Sequence, residues 1–500
     1  MSRAPIAAGC ALWALSSVLS AAGAQAACPT ERVVHKTNGP FVTIQSAVLS
    51  LPASLSGTSC VVIEDDAVYE EQVTVEGFAN NGWRLAIMAG PGARPAVSPP
   101  AASTAAFRLR NASVSVMGID IRPANAVPYG IQASSAYVEI SSVSVDGGSS
   151  LYRAGIVVST ANAVSHASVT VRDAHGIWVQ GSTATVAYST AVNDSASSFA
   201  LYVNGVSSGT FTALLAGNAA GDAVVLDQGA RFNVVSLSTA ASASAAAVGL
   251  RMSGASWNTV AHAYARNPAG QALRLEGGAS GNVVADSTMT SAWGGHAVSL
   301  ADAAGNSLLR SWILNPAGRG LTFEGGAVSN ALALSTVSAA DYALAFVFAS
   351  SNAVDRSSLH SENAYSAQLI WSPYNRISDS ALTGRGPGYG VSIDANSSFN
   401  AVTGCSVLRD AGNGVELAGA RNLLARSRVA AAGDHGLRVS GSSNTVSESF
   451  VQGSTGAFLS GAVGAVLQAS VFSATGTAGS GLRSENGFNL WLTSSVASGG

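Results

Sequence analysis

The sequence predicts an all-β chain: a single-stranded, right-handed parallel β-helix, a solenoid, with a short N-terminal capping helix. Three observations predict it. A unit of 20 to 25 residues recurs through most of the chain. Apolar residues alternate with polar ones inside each unit, the period of two that marks a strand. Glycine, serine and asparagine punctuate the units where a helical solenoid would need an unbroken 3.6-residue spacing.

Residues 1–26 put Arg3 before an apolar run and finish on Ala24 and Ala26, the small-residue form of an export signal's cleavage site. The remaining chain is expected in a secreted, periplasmic or cell-surface setting, with no membrane span after signal removal. Residues 27–100 are expected to form an N-terminal cap and the first coils. Export permits disulfides, and Cys28 and Cys60 lie close enough in sequence to form one. Phe41, Ile44, Val48 and Leu51 fall on one side of a short helix ending at Pro52, which would cover the open first turn. The stretch 39–75 breaks the repeat.

Residues 101–500 form the β-helix. Its repeat aligns on Asn233, Asn258, Asn282, Asn306, Asn330, Asn352, Asn375, Asn400, Asn422, Asn444, Gly464 and Asn489, eleven asparagines in twelve slots. Two places after each slot the residue is always apolar, from Val235 to Val466 and Trp491, and seven places after it is apolar again, from Ala240 to Val471 and Val496. Both columns should point inward. The fifth place is serine in nine of the twelve units, with Ala263, Cys405 and Ala469 the exceptions. Only small side chains fit there, so Cys405 reads as a buried serine substitute. The fourth place is varied and charged, His262, Asp286, Arg310 and Arg356 among others, and should face solvent. An asparagine at a sharp turn can bond the same amide one coil away, and its short side chain tolerates a left-handed backbone. The slots are therefore structural. With weaker asparagine usage the repeat extends back to Val138, Asn162, Ala184 and Gly209, and sixteen coils rising ~4.8 Å each would make a rod about 75 Å long. The chain stops within a coil, at SSVASGG, and is expected to continue beyond residue 500.

Composition excludes several functions. Only 11% of the 500 residues are charged and the net charge is −3, too little positive charge for nucleic acid. No cysteine and histidine spacing suits zinc, no acidic nonapeptide suits calcium, and no glycine-rich loop opens a helix for a nucleotide. No cofactor or metal is expected.

The T-I-Q-x-A-V run at Thr43 to Val48, the Y-E-E-Q-V-T-V segment at Tyr69 to Val75 and the G-I/L-x-V strands followed by S-x-N-x-V turns resemble the pectin lyase-like superfamily of right-handed β-helices. The resemblance covers about nine tenths of the mature chain and implies substrate on the outer face of one sheet. Asp173-Ala174-His175-Gly176 and Asp434-His435-Gly436 are similar to the histidine turn of polygalacturonases, but the preceding turns carry Arg153-Ala154 and Gly412-Asn413 where that family places acids. The Q-D-T-L motif of pectin methylesterases, the paired arginines of pectate lyases and the D-P-H-D motif of alginate epimerases are absent.

One cluster of chemistry-bearing residues stands out. Asp146, Tyr152, Arg153, Arg172, Asp173, His175, Asn193 and Asp194 occupy corresponding turns of three consecutive coils, with Trp178 and Tyr202 at outward places beside them. Asp173, His175 and Asp194 are the candidate catalytic groups, because a histidine beside a carboxylate can move a proton. Tyr152, Arg153, Arg172, Trp178 and Tyr202 are the candidate binding groups, because aromatic faces next to mixed charges suit a sugar chain. His360, Glu362 and Tyr365 form a further polar turn. The reading is a β-helix that binds a polysaccharide or cell-surface component along its flank without catalysis. A lyase, hydrolase or epimerase and a structural spacer are the alternatives.

Overall fold

A computed structural model describes residues 28–476 and 479–499. The residues of the expected export signal lie outside that range. The described chain is a right-handed-type parallel β-solenoid of about 18 turns, the architecture implied by the resemblance noted above.

Each full coil contributes one strand to each of three sheets of 20, 19 and 18 strands. In the coil that begins at Asn258 the first strand is Thr259–Ala261, the second Tyr264–Asn267 and the third Gln271–Glu276. Each pairs in parallel with its equivalent one coil on: Val260 with Val284, Ala265 with Met289, Leu273 with Val298. Identical places therefore stack into columns along the whole rod. The inward columns form one continuous core in which Val260, Leu308, Leu332, Ile313 and Leu359 are buried. Burying such side chains is worth about 1.5–3 kcal/mol each, and it fixes the register, because slipping by one residue would turn every core side chain to solvent.

Two polar ladders close the corners. Asn258 Nδ2 and its backbone N–H both donate to Asn282 Oδ1, at 2.9 and 3.0 Å, and Asn282 does the same to Asn306 at 2.9 Å each. These asparagines are buried, so the ladder satisfies groups that water cannot reach. At the next corner each serine donates its Oγ–H to the carbonyl two residues earlier and accepts the backbone N–H of its counterpart one coil before. Ser311 donates at 2.8 Å to Leu309, and Ser335 Oγ accepts the Ser311 N–H at 3.0 Å. Cys405 copies the arrangement with Sγ at 3.4 Å from the Thr403 carbonyl. Burial pushes its thiol up to about 11, so it stays protonated.

The structure corrects four details. The left-handed residue at the asparagine corner is the one before the asparagine, as at Phe232, Trp257, Ser329 and Tyr374, with φ between 54° and 62°. The asparagine itself is not left-handed, and its own N–H donates to the next amide oxygen. The fourth-place column, His262, Asp286, Arg310 and Arg356, is likewise left-handed with φ between 44° and 51°, so it forms the corner between the first and second sheets. The last two slots move by one place. Val446 pairs with Leu467 and Leu467 with Leu492, which puts Ala465 and Leu490 in the slots. Gly464 and Asn489 are the left-handed corner residues before them, with φ of 65° and 55°. Leu467 and Phe472 are consequently buried, whereas Val471 is exposed. Finally, the stretch 39–75 does not leave the solenoid: Ser59–Ile63, Val68–Tyr69 and Val73–Val75 are strands of the first, second and third sheets.

The helix spans Ile44–Leu49 and packs Ile44, Ala47 and Val48 inward. Thr43 caps it by accepting the Ser46 N–H, and the Glu71 carboxylate accepts the N–H groups of Ile44 and Gln45 at 2.7 and 2.8 Å. It occupies the first coil between the paired strands Thr30–Val34 and Ser59–Ile63. Cys28 and Cys60 form the expected disulfide.

Candidate functional site

The sequence-derived cluster divides into two groups. Asp146 is exposed on the strand Ser144–Gly148 of the second sheet and Arg172, Asp173 and Asp194 are exposed at its corners, and none makes a side-chain hydrogen bond or ion pair among the described residues. Tyr152 is exposed, and Arg153 donates to the Tyr129 phenol at 3.1 Å. Asn193 is buried, donating to the Ala174 carbonyl at 3.2 Å as part of the corner.

His175, Trp178 and Tyr202, by contrast, come together on the outer face of the third sheet. Trp178 and Tyr202 pair directly across adjacent strands, with ring centroids 5.8 Å apart. His175 stacks on Tyr202 at 4.9 Å and lies 5.3 Å from Trp178. Phe199, one coil on, closes the group at 5.2 Å from His175 and 5.0 Å from Tyr202. The backbone N–H of Phe199 donates to His175 Nδ1 at 3.0 Å. That bond places the ring proton on Nε2, and burial holds the imidazole neutral, down to about 4. His175 is therefore arranged as a hydrogen-bond donor. No hydrogen bond joins it to Asp173 or Asp194.

Phe199 belongs to a column that sequence reasoning missed. The residue before each small-residue corner of the third sheet reads Tyr129, Ala154, His175, Phe199, Asp222, Val248, Gln271, His296, Arg319, Tyr342, Tyr365, Tyr389, Asn413 and His435. Three places on, the outward residues are Trp178, Tyr202, Val225, Arg251, Arg274, Ser299, Thr322 and so on to Arg438 and Phe458. The signal was present in the strand motif, where the letter before G-I and the x of G-I-x-V vary freely between fixed apolar neighbours.

Down this face the side chains form a continuous carpet. Arg251 pairs with Asp222 at 3.0 Å and lies over the Phe199 ring at 5.6 Å, joining the aromatic group to the charged coils beyond. Arg274 pairs with Glu276 at 2.7 Å. His296 bonds Thr322 through Nδ1 at 2.6 Å and faces Glu324 at 3.9 Å. Burial, aided by Arg319, keeps this imidazole neutral, down to about 4, while burial raises the Glu324 carboxyl above its ordinary range. Arg319 then covers Tyr342, which stacks on Tyr365 at 5.3 Å, and Tyr365 on Tyr389 at 6.2 Å. Tyr365 thus belongs to this face rather than to the turn of His360 and Glu362, where His360 Nε2 lies 3.0 Å from the Glu362 carboxylate. Among the described residues no group of histidine, cysteine or acidic side chains is placed to hold a metal. The face offers aromatic surface, fixed donors and paired charges at one step per coil, an arrangement suited to an extended, hydroxyl-rich chain.

No family model and no curated protein matches the chain. Among solved structures it is similar to DFA-IIIase from Arthrobacter chlorophenolicus A6 in complex with GF2, at 12% identity over 74% of this chain and 93% of that one, with a TM-score of 0.37. It is also similar to the A-module of the mannuronan C-5 epimerase AlgE4 of Azotobacter vinelandii, at 12% identity over 76% and 94%, with a TM-score of 0.36. The Dettilon tailspike protein gives 11% identity over 77% and 68%, with a TM-score of 0.32.

Proposed function

We propose that this chain is an exported β-helix that binds a glycan along the outer face of its third sheet, without catalysis. The carrying observation is the group of His175, Trp178, Phe199 and Tyr202, linked through Arg251 to a run of ion pairs and stacked tyrosines. Aromatic rings supply apolar contact to the faces and edges of sugar rings, and the neutral His175 supplies a donor. The Cys28–Cys60 disulfide supports an oxidising setting, secreted, periplasmic or on the cell surface. No helix of the described residues is long and apolar enough to cross a membrane.

Affinity electrophoresis through a panel of neutral and acidic polysaccharides tests the proposal. The native chain should be retarded by at least one glycan, and the Trp178→Ala and Tyr202→Ala variants should lose about tenfold in affinity while keeping the native circular dichroism. Unchanged retardation would place the binding elsewhere. Incubation with the same panel separates the enzymatic alternative, in which Asp173, His175 and Asp194 carry catalysis. New reducing ends, or absorbance from unsaturated uronates, lost on His175→Gln would establish that alternative in place of simple binding.

A further inference from the structure

The outward column of the second sheet runs Thr239, Tyr264, Thr288, Trp312, Thr336, Ser358, Ala381 and Ser406. Small residues fill six of these eight places, while Leu215 stands before them and Arg428 and Phe450 after them in the column. Trp312 nevertheless stands on it, 53% exposed. Some exposed aromatics occupy successive coils and cover one another, as Phe348 and Trp371 do at 6.1 Å and Tyr374 and Phe399 at 4.9 Å. Trp312 has a threonine on each side and no ring stacked on it among the described residues. About half of its surface is open to solvent.

Beside it lies a shallow, open depression of about 490 Å³ lined by Thr288, Trp312 and Thr336 and by the corner residues His262, Asp286, Arg310 and Leu334. Arg310 grips Asp286 through two parallel bonds, Nε at 2.7 Å and Nη2 at 2.8 Å, a geometry that fixes both side chains. Two N–H groups on the remaining nitrogen and lone pairs on the carboxylate are left for a ligand, and the pair carries no net charge. Tyr264, also part-exposed, stands two coils before Trp312 on the same column, roughly 10 Å away.

We infer that the second sheet carries a separate glycan-binding surface centred on Trp312, in which a neutral pyranose stacks on the indole and hydrogen-bonds the Asp286–Arg310 pair. An uncharged sugar fits because the pair neutralises itself and offers both donor and acceptor, whereas a uronate would meet the Asp286 carboxylate. This surface lies on a different sheet from the proposed third-sheet site and does not depend on it.

The test is affinity electrophoresis of the full chain in neutral glucans, mannans and xylans, with polygalacturonate and alginate as acidic comparisons. Trp312→Ala should lower affinity for at least one neutral glycan by tenfold or more, and Arg310→Ala by several-fold. Thr288→Trp, which lays a second ring against Trp312 without removing it, should produce the same loss. Made in a Trp178→Ala background, Trp312→Ala should produce the same further fold-loss toward that neutral glycan, so failure here and failure of the third-sheet reading are distinguishable. The inference is overturned if folded Trp312→Ala migrates like the native chain in every neutral glycan, or if its only loss is toward the acidic polymers.

Discussion

Asn444 ends the first ladder. Its Nδ2 is buried without an acceptor, because the next slot holds Ala465 in place of an asparagine. An unmade bond at a buried amide costs ~1–3 kcal/mol, so Ala465→Asn should stabilise the protein by about 1 kcal/mol and raise its urea midpoint; a neutral or lower midpoint would mean that the amide is not left unsatisfied. A second residue answers to the same accounting. Arg409 is buried at a corner whose equivalents are Asn193, Asn218, Asn267 and Asn315, and its guanidinium donates to the carbonyls of Ala364 and Gly386 at 2.7 Å each. It fits because the preceding coil has Gly384, where an added Cβ would fall 1.6 Å from Nη1. Gly384→Ala should therefore destabilise by about 1–3 kcal/mol, and Arg409→Asn in the same chain should recover part of that loss in a denaturant titration. The slot asparagines were legible in the sequence because they repeat. Arg409 was not, because one letter in a column of small residues gives no sign of pointing inward.

At the scale of the strand, what matters is which of two adjacent apolar residues faces the core. The strand Val471–Ala474 contains Val471, exposed, and Phe472, wholly buried. Phe472→Ala should cost about 3–5 kcal/mol, while Val471→Ala should stay within about 0.5 kcal/mol, both measured by urea unfolding. The alternation of two made the strands readable throughout. In the last two coils it leaves the register open by one place, because Asn489 fits a ladder slot as well as a corner. Asparagine is favoured both in the ladder and at a left-handed corner, and these places are neighbours, so the letter alone does not choose between them. Pairing of Leu467 with Leu492 does.

Across the whole molecule the third-sheet face couples its histidines to folding. His175 and His296 are both held neutral by burial, down to about 4, against an unfolded value of about 6.5. Between those values the unfolded chain binds more protons, so stability rises with pH. The contribution of each histidine is complete above about pH 6.5 and is lost as pH falls toward 4. Urea midpoints at pH 7 and pH 4.5 should differ less in a His175→Gln, His296→Gln double variant than in the native chain; equal differences would show that neither ring is buried neutral. The sequence by itself determined the coil: strand period, turn chemistry and columns of like residues are local patterns repeated until only one stacking satisfies them. It also marked Trp178 and Tyr202 as outward residues and placed His175 in the turn beside them. Only the tertiary structure decided which outward residues meet. Columns about 23 residues apart in sequence become neighbours through coil-to-coil pairing, and three corners per coil separate side chains that are close in the chain. Asp173 therefore parted from His175, Phe199 joined it, and Trp312 was left with no ring stacked on it among the described residues.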